Sequence, residues 1–277
     1  MTDSVYIARL QEHLTNYKSS VLLVQESGFW GKSPRAYPHI LPPERRELDI
    51  VTSIREAFWR AQHRHGWKLH KYFHHLSSSQ ALAFNLLFLL YPDVPPGMVA
   101  TRRVFGLPEG VACRLDFEAV LDAAEGTNID ALISTSDGTR TIIEIKLTER
   151  AFGAAAADER HLAKLVDIYA PRLAGRVASS CLEPSVFFRD YQLYRNLAQI
   201  RHDSADRVLL LLPRARAQLW QHAVSWCESA TLGSLRRCIR AVALEDVISA
   251  LGADSAKLDL DTAAIGEVSR KYILPAG

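Results

Sequence analysis

The segment RVLLLLP (207–213) has no polar face, because Val208 to Leu212 are five consecutive apolar residues. Side chains alternate sides along a strand, so such a run reads as a strand buried on both faces. The chain must supply the rest of a sheet and the helices that cover it. Upstream, DFEAVLDAA, IDALIST and RTIIEIKLT switch to a period of two and read as three short strands, linked by EGTN and SDGT. SSSQALAFNLLFLLYP reads as a helix with a serine N-cap, apolar on nearly every side and stopped by Pro92. AFGAAAADERHLAKLVDIY reads as helical, as does EPSVFFRDYQLYRNLAQI, with Pro184 near its first turn. AQLWQHAVSWCES and RCIRAVALEDVISAL continue as helix, strand and helix. The order predicts an α/β fold: a mixed β-sheet flanked by helices.

Residues 1–74 are expected to form an N-terminal helical accessory region and 75–277 the sheet-bearing core. The first part opens with an amphipathic helix and passes into the loop GFWGKSPRAYPHILPP. The GKS inside that loop is no phosphate-binding loop, since Glu26 stands where the motif needs its first glycine. A helical stretch is expected from about Leu48 to Lys71, with Arg55, Arg60, Arg64, Lys68 and Lys71 spaced along it.

Net charge is only +2, so no bulk cationic field announces nucleic acid and any basic surface must be local. MTDSVYIARL lacks the basic and apolar regions of a signal peptide. The run ALAFNLLFLLY is too short to span a bilayer, which takes about 20 residues. Cys113, Cys181, Cys227 and Cys238 are dispersed without a CxxC pair, as for reduced thiols. A soluble, cytoplasmic protein without membrane contact is expected.

The strand TIIEIKLTER (141–150) breaks its own logic. Ile143, Ile145 and Leu147 point one way, while Glu144 and Lys146 share the opposite face with Ile142. If the preceding turn is a three-residue loop, Ser136-Asp137-Gly138 with a left-handed Gly138, Thr135 pairs with Thr139. Asp130 then lies directly opposite Glu144, where like charges are destabilising. A divalent cation reconciles two carboxylates and a lysine, and hard oxygen ligands suit Mg²⁺. Lys146 could orient a water or stabilise charge growing on a phosphate. The alternative is a solvated Glu–Lys pair on an exposed strand face.

These residues resemble the PD-(D/E)xK nuclease superfamily, the restriction-endonuclease-like fold, from about Ser77 to Pro213. HHLSSSQALAFNLLF, FEAVLDAAEGTNIDALI, EIKLTERAFG and YQLYRN, in that order, resemble a bacterial branch of restriction-endonuclease-like proteins. The resemblance implies a Mg²⁺-dependent endonuclease, with Mn²⁺ as a substitute, acting on DNA in defence or processing. Asp130, Glu144 and Ile145 would hold the metal, and Lys146 would be the catalytic lysine. Ile129 replaces the signature proline, and the first helix offers Gln80 where many relatives carry glutamate. Glu118 is the substitute acid, although the loop to Asp130 leaves its strand parity open. Gln192 resembles the glutamine that several branches place in the helix after the ExK strand, on a stripe with Phe188, Arg195 and Gln199. Many such enzymes dimerise to cut both strands, so a homodimer is a further expectation.

HRHGWKLHKYFHH (63–75) holds five histidines, and His70 and His74 could be zinc ligands one helical turn apart. Structural zinc wants four ligands, and no cysteine lies nearby. With Arg60, Arg64, Lys68 and Lys71 the stretch reads better as a basic surface able to follow a phosphate backbone, or else as a plain solvated face. The rival to an enzyme is a nucleic-acid-binding or assembly module that keeps the fold without cleavage.

Overall fold

The computed structural model describes residues 1–256 and 261–275. Helix α1 (Asp3–Ser20) leads into a short hairpin, β1 (Gly28–Phe29) and β2 (Ala36–Tyr37), then α2 (Thr52–His65) and α3 (Ser79–Leu87). Next come β3 (Asp93–Val94), α4 (Val99–Phe105), β4 (Cys113–Val120), β5 (Asn128–Thr135) and β6 (Arg140–Ile145). Four short helices follow: α5 (Glu159–Lys164), α6 (Ala170–Leu173), α7 (Pro184–Phe187) and α8 (Tyr191–Leu197). The chain continues through β7 (Arg207–Leu212), α9 (Ala217–Ser229), β8 (Ile239–Ala243), α10 (Leu244–Ser255) and α11 (Thr262–Tyr272).

Strands β3 to β8 form one six-stranded sheet in sequence order. It is antiparallel from β3 to β6 and parallel from β6 to β8. This is the mixed, helix-flanked sheet expected of a restriction-endonuclease-like fold. Two apolar cores cover its faces. Ile143, Ile145, Leu209 and Leu211 pack with α1, α2, α3, α10 and α11; Ile142, Val208, Leu210 and Leu212 pack with the helices from α6 to α9. Residues 1–74 contribute Tyr6, Leu10, Leu14 and Phe58 to the first of these cores.

Local chemistry explains the boundaries. Ser78 caps α3 by accepting from the Ala81 N–H at 3.3 Å. Buried Asp206 fixes the start of β6 against β7: its carboxylate accepts from the Arg140 N–H at 2.9 Å and from the Arg140 and Arg201 guanidiniums.

Several sequence expectations need correction. Helix α2 stops at His65, so Lys68 and Lys71 sit on a loop. His70 and His74 are on that loop as well and are not one helical turn apart. The alanine run 154–157 is not helical, since the helix waits for Asp158, which caps it through the His161 N–H. The segment 183–200 is broken into α7 and α8 around residues 188–190. Phe188 is therefore off the helix that carries Gln192 and Arg195, and the predicted stripe does not form. Strand β3 and the β1–β2 hairpin, only two residues per strand, went unpredicted.

Candidate active site

The β5–β6 turn sets the geometry. Gly138 takes φ +84°, a left-handed conformation that glycine adopts freely. Its N–H donates to the Thr135 carbonyl, and the Thr135 N–H donates to the Thr139 carbonyl, both at 2.9 Å. The loop is thus 136–138, and the ladder runs from Ser134 opposite Arg140 to Ala131 opposite Ile143. One further step sets Asp130 across from Glu144, in the expected register. There the ladder opens, and the Asp130 carboxylate accepts the Ile145 N–H at 2.7 Å.

Glu144 and Lys146 are buried, at 1% and 6% exposure. That rules out a solvated strand pair. Lys146 Nζ donates to Glu144 Oε1 and to Gln192 Oε1, each at 2.7 Å. Asn196 Nδ2 donates to Glu144 Oε2 at 2.8 Å. Gln192 and Asn196 are four apart on α8, so one helical face clamps both charges. The sequence reading found Gln192 and missed Asn196, which a search at helical spacing would have found.

Glu118 also reaches the site, by an irregularity the strand pattern could not show. The β4–β5 register pairs Phe117 with Ala131 and Ala119 with Ile129, leaving Glu118 level with Asp130 but unpaired. Its φ is +51°, a strained conformation for a non-glycine residue, costing about 1 kcal/mol or more. The Glu118 carboxylate accepts from Gln80 Nε2 at 2.7 Å and from Asn128 Nδ2 at 2.9 Å. Gln80, on the first helix of the motif, thus meets the acid from the first strand.

Enclosure by the protein, then the facing Glu144 carboxylate, hold the Asp130 carboxyl well above its ordinary range, against the pull of the Lys146 ammonium. Burial draws Lys146 downward, but the charges of Glu144, Glu149 and Asp130 outweigh it and leave its pKa raised. The cleft is lined by Asp3, Glu118, Asp130, Glu144 and Glu149 against Lys146, Arg150 and Arg216, a surplus of two negative charges when all are ionised. A divalent cation matches that surplus. Among the described residues no group of three or more His, Cys, Asp or Glu side chains is arranged to hold a metal ion. Mg²⁺ needs no such group, because it keeps several waters and binds through one or two carboxylates. Carboxylate oxygens carry spare lone pairs, so the bonds to Lys146 and Asn196 leave Glu144 able to ligate. The Asp130 and Glu144 carboxylates, both lining the cleft, are hard oxygen donors of the kind and number that Mg²⁺ takes.

The site opens into a cleft of about 1230 Å³ lined by Gln80, Glu118, Asp130, Glu144, Lys146 and Gln192. It lies at the carboxyl end of β6, where the parallel part of the sheet begins, a usual place for ligands in α/β proteins. Behind it, buried Arg216 fixes the chain as it leaves β6. Its guanidinium donates to the Leu147 and Glu149 carbonyls, both at 2.7 Å, and to Asp3 Oδ2 at 3.1 Å. Asp3 also accepts from the Gln218 and Leu219 N–H groups. Neither residue stood out in the sequence, since partners 213 positions apart leave no local signal.

The four basic residues proposed for nucleic acid do not form one row. Arg60 is exposed on α2 and paired with Glu56, and Arg64 is exposed further along that helix. Lys68 and Lys71 are exposed on the loop that enters the cleft wall. Among the described residues, no helix is long and apolar enough to cross a membrane.

No curated protein and no solved structure matches the chain. One family model does, along nearly the whole length: residues 11–273 match the family described as Restriction Endonuclease associating with ARP, and the chain belongs to it.

Proposed function

We propose that the chain is a Mg²⁺-dependent endonuclease that hydrolyses phosphodiester bonds in DNA, in the cytoplasm. One observation carries this reading: a buried Glu144–Lys146 pair sits across from Asp130 at the wall of a large cleft. Burying charge is costly unless it is paired or used, and here carboxylates outnumber the cation. Asp130, Glu144 and the Ile145 carbonyl would hold Mg²⁺, with Mn²⁺ as a substitute. When bound, the ion supplies charge neutralisation at the phosphate and acidifies a water.

The protein side chains do the positioning. Lys146 presents its ammonium to charge growing on the phosphate, and Gln192 holds that ammonium in place from α8. Glu118, itself held by Gln80 and Asn128, aims a third carboxylate into the same cleft. Where the substrate is a duplex, severing both strands takes two such centres, and a homodimer then belongs to this reading. So does an association with ARP, which the family description names. Four dispersed cysteines without a CxxC pair suit a reducing compartment.

A non-cleaving nucleic-acid-binding or assembly module is the second reading. Its support is that both Glu144 oxygens are already engaged, by Lys146 and Asn196. Lys146→Met separates the two, because it keeps the aliphatic stem and deletes only the ammonium. Nucleic-acid binding in Ca²⁺ should survive, and cleavage in Mg²⁺ should fall at least ~100-fold. An equally active variant would sink the proposed site. A wild type that binds but never cuts, with any divalent metal, would establish the module.

A further inference from the structure

The cleft that holds the carboxylates is also lined by a group of rings that the proposed chemistry leaves unused. The β1–β2 hairpin presents Phe29 and Trp30 at 49% and 55% exposure, neighbouring large apolar side chains left in water. Trp30 lines the cleft with Tyr37, Tyr72 and His75. Its indole meets those three rings edge to face at 6.2, 6.4 and 6.2 Å, with interplanar angles of 67–85°. The indole is therefore fixed in place, yet over half of its surface remains open. Burial, then His74, His39 and His70, push His75 down to about 4, so its ring is neutral near pH 7. Single exposed apolar side chains need no explanation, but a rigid cluster of rings in a cleft wall does.

The surrounding charge points to an anionic partner. Lys71 Nζ lies 4.6 Å from the Tyr72 ring centre, and Arg35 lies 5.3 Å from that of Tyr37. Lys32, in the turn between β1 and β2, and Lys68, on the loop that bears Lys71, are exposed as well. None of these four cations has an acidic partner among the described residues. Flat rings interleaved with free cations are what an unpaired nucleotide strand requires: the rings stack on bases and the cations meet phosphates. A paired duplex hides its base faces and could use only the cations.

One side chain joins this wall to the reaction centre. Gln80 Oε1 accepts from the His70 N–H at 2.7 Å, and Gln80 Nε2 donates to the Lys68 carbonyl at 2.9 Å and to Glu118 at 2.7 Å. The loop bearing Lys71 and Tyr72 is thus tied to a carboxylate of the site. We infer that Trp30, with Tyr37, Tyr72 and His75, is a base-stacking platform that seats an unpaired nucleotide beside the carboxylate site. Resting on the nuclease reading for its substrate class, it makes single-stranded or locally unpaired nucleic acid the preferred substrate.

Affinity for a labelled oligo-dT strand and for a blunt duplex, both in Ca²⁺ to hold back cleavage, tests it. Trp30→Ala should weaken single-strand binding about tenfold, the scale of one lost base–aromatic stack, and duplex binding by less than about twofold. Trp30→Phe, which keeps a stacking ring, should restore most of the single-strand affinity, and an unchanged melting temperature should accompany both variants. Equal loss on both substrates, no loss on the single strand, or a wild type that binds neither would overturn the platform. Because the readout is binding, the two readings can fail separately. A protein that never cuts but shows the Trp30 pattern keeps the platform and loses the nuclease. One that cuts normally without the pattern loses only the platform.

Discussion

Asp130→Asn and Glu144→Gln, alike on paper, should shift the stability of the metal-free protein in opposite directions. Continued one step past Ala131 and Ile143, the register sets the two carboxylates face to face, and directly opposed Cβ atoms lie roughly 5 Å apart. Two unit charges at that distance, in an effective dielectric of about 20, repel by roughly 3 kcal/mol. Attraction to Lys146 offsets much of this, so Asp130→Asn should stabilise by about 1 kcal/mol, with the amide oxygen still able to accept the Ile145 N–H. For a chain this long, that is a rise in Tm of roughly 2–4 °C. Glu144→Gln instead strips the counter-charge from the buried Lys146 ammonium and leaves Gln192 as its main acceptor. Removing one member of a buried pair costs about 3–5 kcal/mol, a fall of at least roughly 6 °C. Circular-dichroism melts in chelator at neutral pH measure both. The Asp130 pKa is raised on folding, so this group favours the folded state only while protonated. That contribution is present below the unfolded value of about 3.9 and is lost as pH rises through the higher folded value. The gain from Asp130→Asn should accordingly vanish in acid and grow toward neutrality. A fall for Asp130→Asn as large as that for Glu144→Gln would refute the opposed-carboxylate geometry.

Two further substitutions probe the frame. At Asp206 burial opposes the charge, but hydrogen bonds from Arg201 and Arg140 outweigh it and hold the carboxyl far below its ordinary range. Asp206→Asn should destabilise by about 3 kcal/mol in denaturant titration at neutral pH, and less as pH falls below about 3.9 toward the folded value, where the wild type loses this contribution too. A Cβ at Gly153, whose φ is +65°, would lie 2.9 Å from Gln192 Oε1. Gly153→Ala should therefore displace Gln192 from Lys146 and lower the cleavage rate while leaving nucleic-acid affinity unchanged; equal loss in both would point to a wider disturbance.

Period and turn chemistry carried most of the sheet. SDGT held enough to choose the loop length, and the loop length placed Asp130 opposite Glu144. The capped helix α3 and the doubly buried β7 were likewise readable from local pattern. What escaped was non-local or irregular. The left-handed Glu118 lets that carboxylate drop out of the β4 ladder, and no alternation rule describes such a kink. Asp3 and Arg216 meet across 213 positions, a separation at which a single sequence is mute. The alanine run misled because helix propensity is a weak prior that tertiary context overrides.

The clamp of Arg216 on Leu147 and Glu149 bears on the order in which the chain is made. Asp130, Glu144 and Lys146 all emerge within one hairpin, before the later side chains that clamp Glu144 and Lys146. Gln192 and Asn196 follow some fifty residues later, the β7 neighbour comes after those, and Arg216 comes last, closing onto Asp3. During synthesis the charged hairpin must therefore wait, exposed, for its supports. A chain released between residues 146 and 216 would carry Asp130, Glu144 and Lys146 and yet lack the Arg216 clamp that closes the frame behind them.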